Sequence, residues 1–214
     1  MFDGIFAASG GKPSVGEVKG IADYIHDKTL ARGDTLMFRQ LAGDYLYYLA
    51  SRTGEGIKEG LNYHLSRNIL TDNGVWKSSD DSLKVVGFAS IMKDLLSKGE
   101  IGTRVPHVKL TAELHASGKV KAKKIYLDRL NGKENIIIFY TEGCEGCAAE
   151  KATAVRIAEG KDKVNVLMVN FDSIMASDPS LASNLMDSFD LSSLPYIIMT
   201  DKAGTILRRY VSLQ

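Results

Sequence analysis

The sequence predicts an α/β protein in two parts: an all-α helical region over residues 1–98, then a mixed sheet flanked by helices over residues 99–214. Three observations carry this reading. Apolar residues recur every three or four positions through the first half, which is the period of one helix face. After Gly99 the period changes to alternation and to short β-branched runs, the pattern of strands. Ser97, Gly99, Gly102 and Pro106 cluster where the period changes, as at a boundary.

In the first half, Val15, Val18, Ile21, Ala22 and Ile25 share a helix face. Gly33 and Asp34 end that pattern, and Asp34 or Thr35 is the expected N-cap of a second helix carrying Leu36, Met37, Leu41, Leu46 and Leu49. Thr53-Gly54 breaks it. Ile57, Leu61, Leu65 and Ile69 form a third helix at four-residue spacing. Asp72, Asn73 and Gly74 mark a loop over 71–79. Asp80 or Asp81 then caps a fourth helix with Leu83, Val86, Ile91 and Leu95. Four helices with short links predict an antiparallel bundle or helical hairpins, and there is no internal repeat.

In the second half, Val108, Leu110 and Ala112 alternate with Lys109, Thr111 and Glu113, a strand. Ser117-Gly118 turns it into a second strand, Val120 to Leu127. Ile136 to Tyr140 is an unbroken apolar run, the mark of a strand buried on both faces. A helix over Cys144 to Ala158, a strand over Val164 to Phe171 and a helix over Pro179 to Phe189 come next. Tyr196 to Thr200 and Thr205 to Val211 make a closing hairpin around the turn Asp201 to Gly204. The predicted order is β-β-β-α-β-α-β-β, a mixed sheet covered by helices.

Composition narrows the function. Of 214 residues, 44% are hydrophobic and 25% charged, with a net charge of +1. These are ordinary values for a globular chain, and they exclude a disordered chain, a collagen-like repeat and a disulfide-dense mini-protein. A near-neutral charge argues against nucleic acid as a partner. No apolar run approaches the ~18 residues of a membrane span, and the start, Met1 to Phe6, is too short and too acidic for a signal peptide. Gly10-Gly11-Lys12-Pro13-Ser14 has no strand before it, so it is not read as a phosphate loop.

The chemistry concentrates at Cys144-Glu145-Gly146-Cys147. A buried strand, a short turn and C-x-x-C opening a helix bring two sulfurs into one helical turn. The free N–H groups and dipole of a helix N-terminus favour negative charge, and the thiolate is the reactive form of cysteine. Cys144 at the turn is the expected exposed nucleophile, and Cys147, one turn in, the buried resolving thiol. Zinc would need a second ligand pair, which neither another cysteine nor the spacing of His26, His64, His107 and His115 supplies, so no metal is expected.

The run Tyr140-Thr141-Glu142-Gly143-Cys144-Glu145-Gly146-Cys147, with Leu194-Pro195 further on, resembles the thioredoxin superfamily. Cys144 to Glu150, and the lead-in Gly102-Thr103-Arg104-Val105-Pro106, resemble the TlpA/ResA group of envelope thiol-disulfide oxidoreductases. The resemblance covers residues 100–214. It implies a thioredoxin-like sheet, a nucleophile at Cys144, a resolving thiol at Cys147, a cis-proline at Pro195 and a carboxylate, Glu150, near the thiols. It places the substrate-binding surface at Gly143, Glu145, Leu194 and Pro195. Glu150 stands three residues after Cys147, within one helical neighbourhood, where a carboxylate can take or give that thiol's proton. The implied partners are thiols and disulfides of other proteins, with a redox partner protein among them. No organic cofactor is implied, and the implied location is the periplasm or cell envelope, with a signal or anchor lost from this chain.

Several positions depart from the pattern. Gly143 stands where thioredoxin has Trp, and Glu145-Gly146 replaces Gly-Pro. Glu145 sets a negative charge beside the nucleophile and opposes thiolate formation. Ile138 occupies the strand position of thioredoxin's buried acid, leaving Glu150 as the proton handler. Relatives close with a further helix where this chain has Gln214, so the N-terminal helices are expected to cover one sheet face.

Other readings stand beside these. Thr141, three residues before Cys144, fits a peroxiredoxin-type peroxide reductase, although the pattern lacks its proline. A thioredoxin-like fold can also serve as a binding module without redox turnover. His64 reads as a packing or surface residue, and Tyr45, Tyr47, Tyr48, Tyr63 and Phe38 as core or interface. The lysines of 119–124 read as a solvated strand edge that discourages aggregation.

Overall fold

The computed structural model describes residues 2–72, 74–77, 80–116, 118–160 and 163–214, with Asp80 and Asp81 described by their backbone alone. The chain divides into two units, Met1–Leu96 and Ser97–Gln214.

The first unit is helical: α1 (Phe2–Ile5), α2 (Val15–Lys28), α3 (Thr35–Ala50), α4 (Glu55–His64) and α5 (Asp80–Ser97), with α4 running on as a π-helical turn over Leu65–Ile69. Local chemistry sets the starts. Ser14 and Glu17 form a reciprocal capping box on α2. Asp34 caps α3 by accepting from the Met37 N–H at 3.0 Å. The side chains of Asp80 and Asp81, expected to cap α5, and Asn73 of the expected loop lie outside the described residues. The four-residue stripe Ile57, Leu61, Leu65 and Ile69 is buried throughout. Two stripes differ from expectation. On α3 the buried face runs through Phe38, Ala42, Tyr45, Leu46 and Leu49, while Leu36 and Met37 are exposed. The rings of Phe38 and Tyr45 take the core positions, which turns the first-turn aliphatics outward. On α5, Ser82, Ala89 and Leu96 are buried, and Leu83 and Ile91 are exposed. Small residues at seven-residue spacing set that inner face.

The second unit contains β1 (Lys109–Ala116), β2 (Lys119–Tyr126), β3 (Glu134–Tyr140), α6 (Glu145–Gly160), β4 (Val164–Asn170), α7 (Phe171–Ser177), α8 (Pro179–Ser188), β5 (Tyr196–Asp201) and β6 (Ile206–Arg209). The sheet order is β2-β1-β4-β3-β5-β6. Among these strands only β3 and β4 pair in parallel, joined by the α6 crossover, and the remaining pairs are antiparallel. Side chains alternate across β3. Ile136 and Ile138 enter a core with Cys147, Ala154 and Ala158 of α6. Ile137 and Phe139 enter the opposite core with Ile174, Leu185 and Phe189. Both faces of the sheet are thus covered by residues of this same unit. The edge strand β2 is exposed along the lysine run, as a solvated edge requires.

Two segments correct the expected order. Between β4 and β5 stand two helices, because Asn170 caps α7 by accepting from the Ser173 N–H at 2.9 Å. That ends the strand before Phe171. Asp178 then caps α8 by accepting from the Leu181 N–H at 3.0 Å, with Pro179 in its first turn. The last strand stops at Arg209 because Tyr210 adopts φ 53°, a left-handed conformation that cannot continue a strand. Ser117 of the expected β1–β2 turn lies outside the described residues.

Candidate functional site

The site forms where β3 ends. Thr141, Glu142 and Gly143 turn the chain, with Gly143 at φ 74°, a conformation that glycine adopts without a Cβ penalty. Polar groups from the end of β4 and the start of α7 hold this turn. The Glu142 N–H donates to Asp172 Oδ2 at 3.1 Å, and Asn170 Nδ2 donates to Glu142 Oε1 at 3.0 Å.

Cys144 precedes α6 in the capping position. Its carbonyl accepts from the Ala148 N–H and its Sγ from the Cys147 N–H, both at 3.1 Å. Cys144 and Cys147 are joined as a disulfide, with Cα atoms 5.2 Å apart. Cys144 is half-buried, whereas Cys147 is 1% exposed and packs in the core beneath α6. The pair sits at the positive end of a 16-residue helix, where N–H groups and dipole stabilise negative charge on sulfur. Glu145, exposed beside Cys144, opposes this.

The loop before β5 closes over the same sulfur. The Leu194–Pro195 peptide bond is cis. The Leu194 carbonyl oxygen lies 3.9 Å from Cys144 Sγ. Gly146 faces Pro195, whose Cδ would stand 3.9 Å from a Cβ built there. The residues expected to handle substrate, Gly143, Glu145, Leu194 and Pro195, therefore gather around the two cysteines. Asp190, 6% exposed, supports this loop. Its Oδ1 accepts from the N–H and hydroxyl of Ser192, and its Oδ2 from the Tyr210 hydroxyl at 2.9 Å. Burial, then the Asp190 charge, pushes the Tyr210 phenol above its ordinary range.

Glu150 lies one turn of α6 beyond Cys147 and is 6% exposed. Its Oε1 accepts from the Ser212 hydroxyl and its Oε2 from the Leu213 N–H, each at 2.8 Å. Lys151 lines the cleft over the disulfide, its Nζ 3.7 Å from the centroid of the Tyr140 ring, a cation–π distance. Sequence reasoning missed Lys151, Asn170, Asp172, Asp190, Ser212 and Leu213. A signal existed only for Asn170, whose spacing to Ser173 is that of an N-cap.

No protein-family model matches this chain, and neither does any curated protein. Two solved structures align with about half of it. One is the thioredoxin domain of a thiol-disulfide oxidoreductase from Bacteroides vulgatus, at 15% identity over 53% of this chain and 89% of that one, with a TM-score of 0.34. The other is a thiol:disulfide interchange protein from a Bacteroides species, at 18% identity over 51% and 80%, with a TM-score of 0.33. A thioredoxin-like protein from Bacteroides caccae aligns over 96% of this chain and 76% of its own, at 17% identity and a TM-score of 0.55. That likeness and the mixed six-stranded sheet with its β3-α6-β4 crossover give this chain a thioredoxin-like fold.

Proposed function

We propose that this protein is a thiol-disulfide oxidoreductase that reduces or exchanges disulfides of protein substrates through Cys144 and Cys147. The observation that carries the reading is a disulfide at a helix N-terminus, with one sulfur half-exposed beneath the Leu194 carbonyl and the other buried. In the dithiol form, the Cys144 thiolate attacks a partner disulfide. One partner sulfur leaves as thiolate and a mixed disulfide forms. Cys147 gives its proton to Glu150 and attacks Cys144 Sγ. The internal disulfide forms, the second partner sulfur leaves, and two electrons have passed to the partner. Gly143, Glu145, Leu194 and Pro195 form the surface that receives the substrate chain. The dithiol itself carries the electrons, so the proposal needs no cofactor.

Protein cysteines, including those of a dedicated redox partner, are the proposed substrates, and the cell envelope is the proposed compartment. The helical region over 1–98 is proposed as a separate domain. The peroxide-reductase reading is less favoured, because among the described residues the cation lining the cleft is Lys151 and no arginine does so.

The deciding measurement is equilibration in thiol buffers of graded potential, with free thiols counted by mass tagging. A reversible two-electron transition lost in both Cys144→Ser and Cys147→Ser is expected. Its midpoint sets the direction of electron flow, with ~30 mV worth about tenfold in the equilibrium. No reversible transition at any potential would overturn the proposal in favour of a binding module.

A further inference from the structure

The chain beyond β6 is where the structure departs most from a simple closing strand. Tyr210, at φ 53°, ends the regular pairing of β6. The Val211 N–H then donates to the Ile197 carbonyl at 3.2 Å, and the Val211 side chain is buried in the same core as Cys147. The next two residues supply one donor to each oxygen of Glu150. The Tyr210 hydroxyl anchors the start of the segment on Asp190. A carboxylate buried this deeply needs hydrogen-bond partners. Here both partners come from one segment, pinned upstream at Tyr210 and Val211.

We propose that Tyr210–Leu213 is a positioning clamp for proton transfer in the dithiol: the Ser212 hydroxyl and the Leu213 N–H hold the Glu150 carboxylate in the orientation from which it exchanges a proton with Cys147. This rests on the oxidoreductase reading above and names the residues that control its resolving step. In that step the Cys147 S–H bond breaks, its proton passes to the held carboxylate, the Cys147–Cys144 bond forms and the partner's sulfur departs with the electron pair of the broken mixed disulfide. Ser212 and Leu213 hydrogen-bond the Glu150 carboxylate and exchange no proton or electron themselves. They act through Glu150, and their effect vanishes when Glu150 cannot accept a proton.

The test uses the reduced full chain and oxidised glutathione as the disulfide probe. Acid quenching and mass analysis give the rate at which the Cys144–glutathione mixed disulfide forms and the rate at which it resolves. Ser212→Ala is expected to lower the ratio of resolution to formation about tenfold, the scale of one hydrogen bond to a charged group. Ser212→Thr, which keeps the hydroxyl, is expected to restore the ratio. In a Glu150→Gln background, Ser212→Ala is expected to change nothing further. An unchanged ratio in Ser212→Ala overturns the clamp. So does a loss that Ser212→Thr does not rescue, or one of equal size in the Glu150→Gln background. A wild-type chain that forms no mixed disulfide overturns the oxidoreductase reading instead, so the two failures are distinct.

Discussion

His64 is fully buried between a donor and an acceptor, and that pair fixes its proton. Its Nε2 lies 2.9 Å from the Ala42 carbonyl, which can only accept, while its Nδ1 receives a hydrogen bond from Asn68 Nδ2 at 3.0 Å. The ring is therefore neutral with its proton on Nε2. A second proton on Nδ1 would face another donor. Burial pushes the group down to about 4, below the roughly 6.5 of an unfolded histidine. Between those values the unfolded chain binds more protons, so stability rises with pH. The contribution is complete above roughly pH 6.5 and is lost as pH falls toward 4, a change of about 3 kcal/mol at ~1.4 kcal/mol per pH unit. Denaturant titration of the full chain at pH 7 and pH 4 should show this loss, and His64→Gln, which retains a donor toward Ala42, should remove about that much of it. At the same scale, Cys144 and Cys147 stood out by their local spacing, and Glu150 by the resemblance of the run from Cys144 to Glu150 to a known motif. The groups that hold Glu150 were not, because they sit 62 and 63 residues further along the chain.

In the first unit, α4 approaches α2 and the residues ahead of it through glycine. A Cβ on Gly60 of α4 would land on the Val18 side chain of α2, and one on Gly56 would strike the backbone of Pro13 ahead of α2. Alanine gains up to ~1 kcal/mol of helix propensity over glycine, but overpacking costs about 1–3 kcal/mol. Gly60→Ala should therefore lower the unfolding free energy. Gly56→Ala should lower it further, because the Pro13 carbonyl cannot rotate away as a side chain can. Thermal and denaturant unfolding of the two variants would check both size and order. The long helices α2 and α3 were legible because their apolar period repeats several times, and α6 because its segment is rich in the helix formers Ala, Glu and Lys. The seven-residue α7 was not, since Phe171 reads as the end of the β4 run and Asp172, Ser173 and Ser177 leave too few apolar residues to show a helix period over two turns. The burial phase of α5 also escaped, because its inner face is set by Ser82 and Ala89, which no hydrophobic count singles out.

The sheet of the whole molecule ends in β2, an open edge whose lysines stand in solvent. Charged side chains on an edge oppose strand addition by another copy. Replacing Lys121 and Lys123 with valine should leave the fold intact and produce concentration-dependent self-association, visible in light scattering and sedimentation. Topology was partly legible at this scale: the switch of period near Gly99 and the buried β3 run imply a mixed sheet. The strand order, and the return of the last residues to α6, depend on long-range contacts that no local pattern encodes. Such contacts would surface in mutational genetics at Asp190. This carboxylate ties the Leu194–Pro195 loop to the segment that holds Glu150, yet it handles no electron and no proton of the proposed reaction. A saturation screen scored on turnover would mark position 190 alongside the cysteines. Its sensitivity map would outline the scaffolding of the cleft as much as its chemistry.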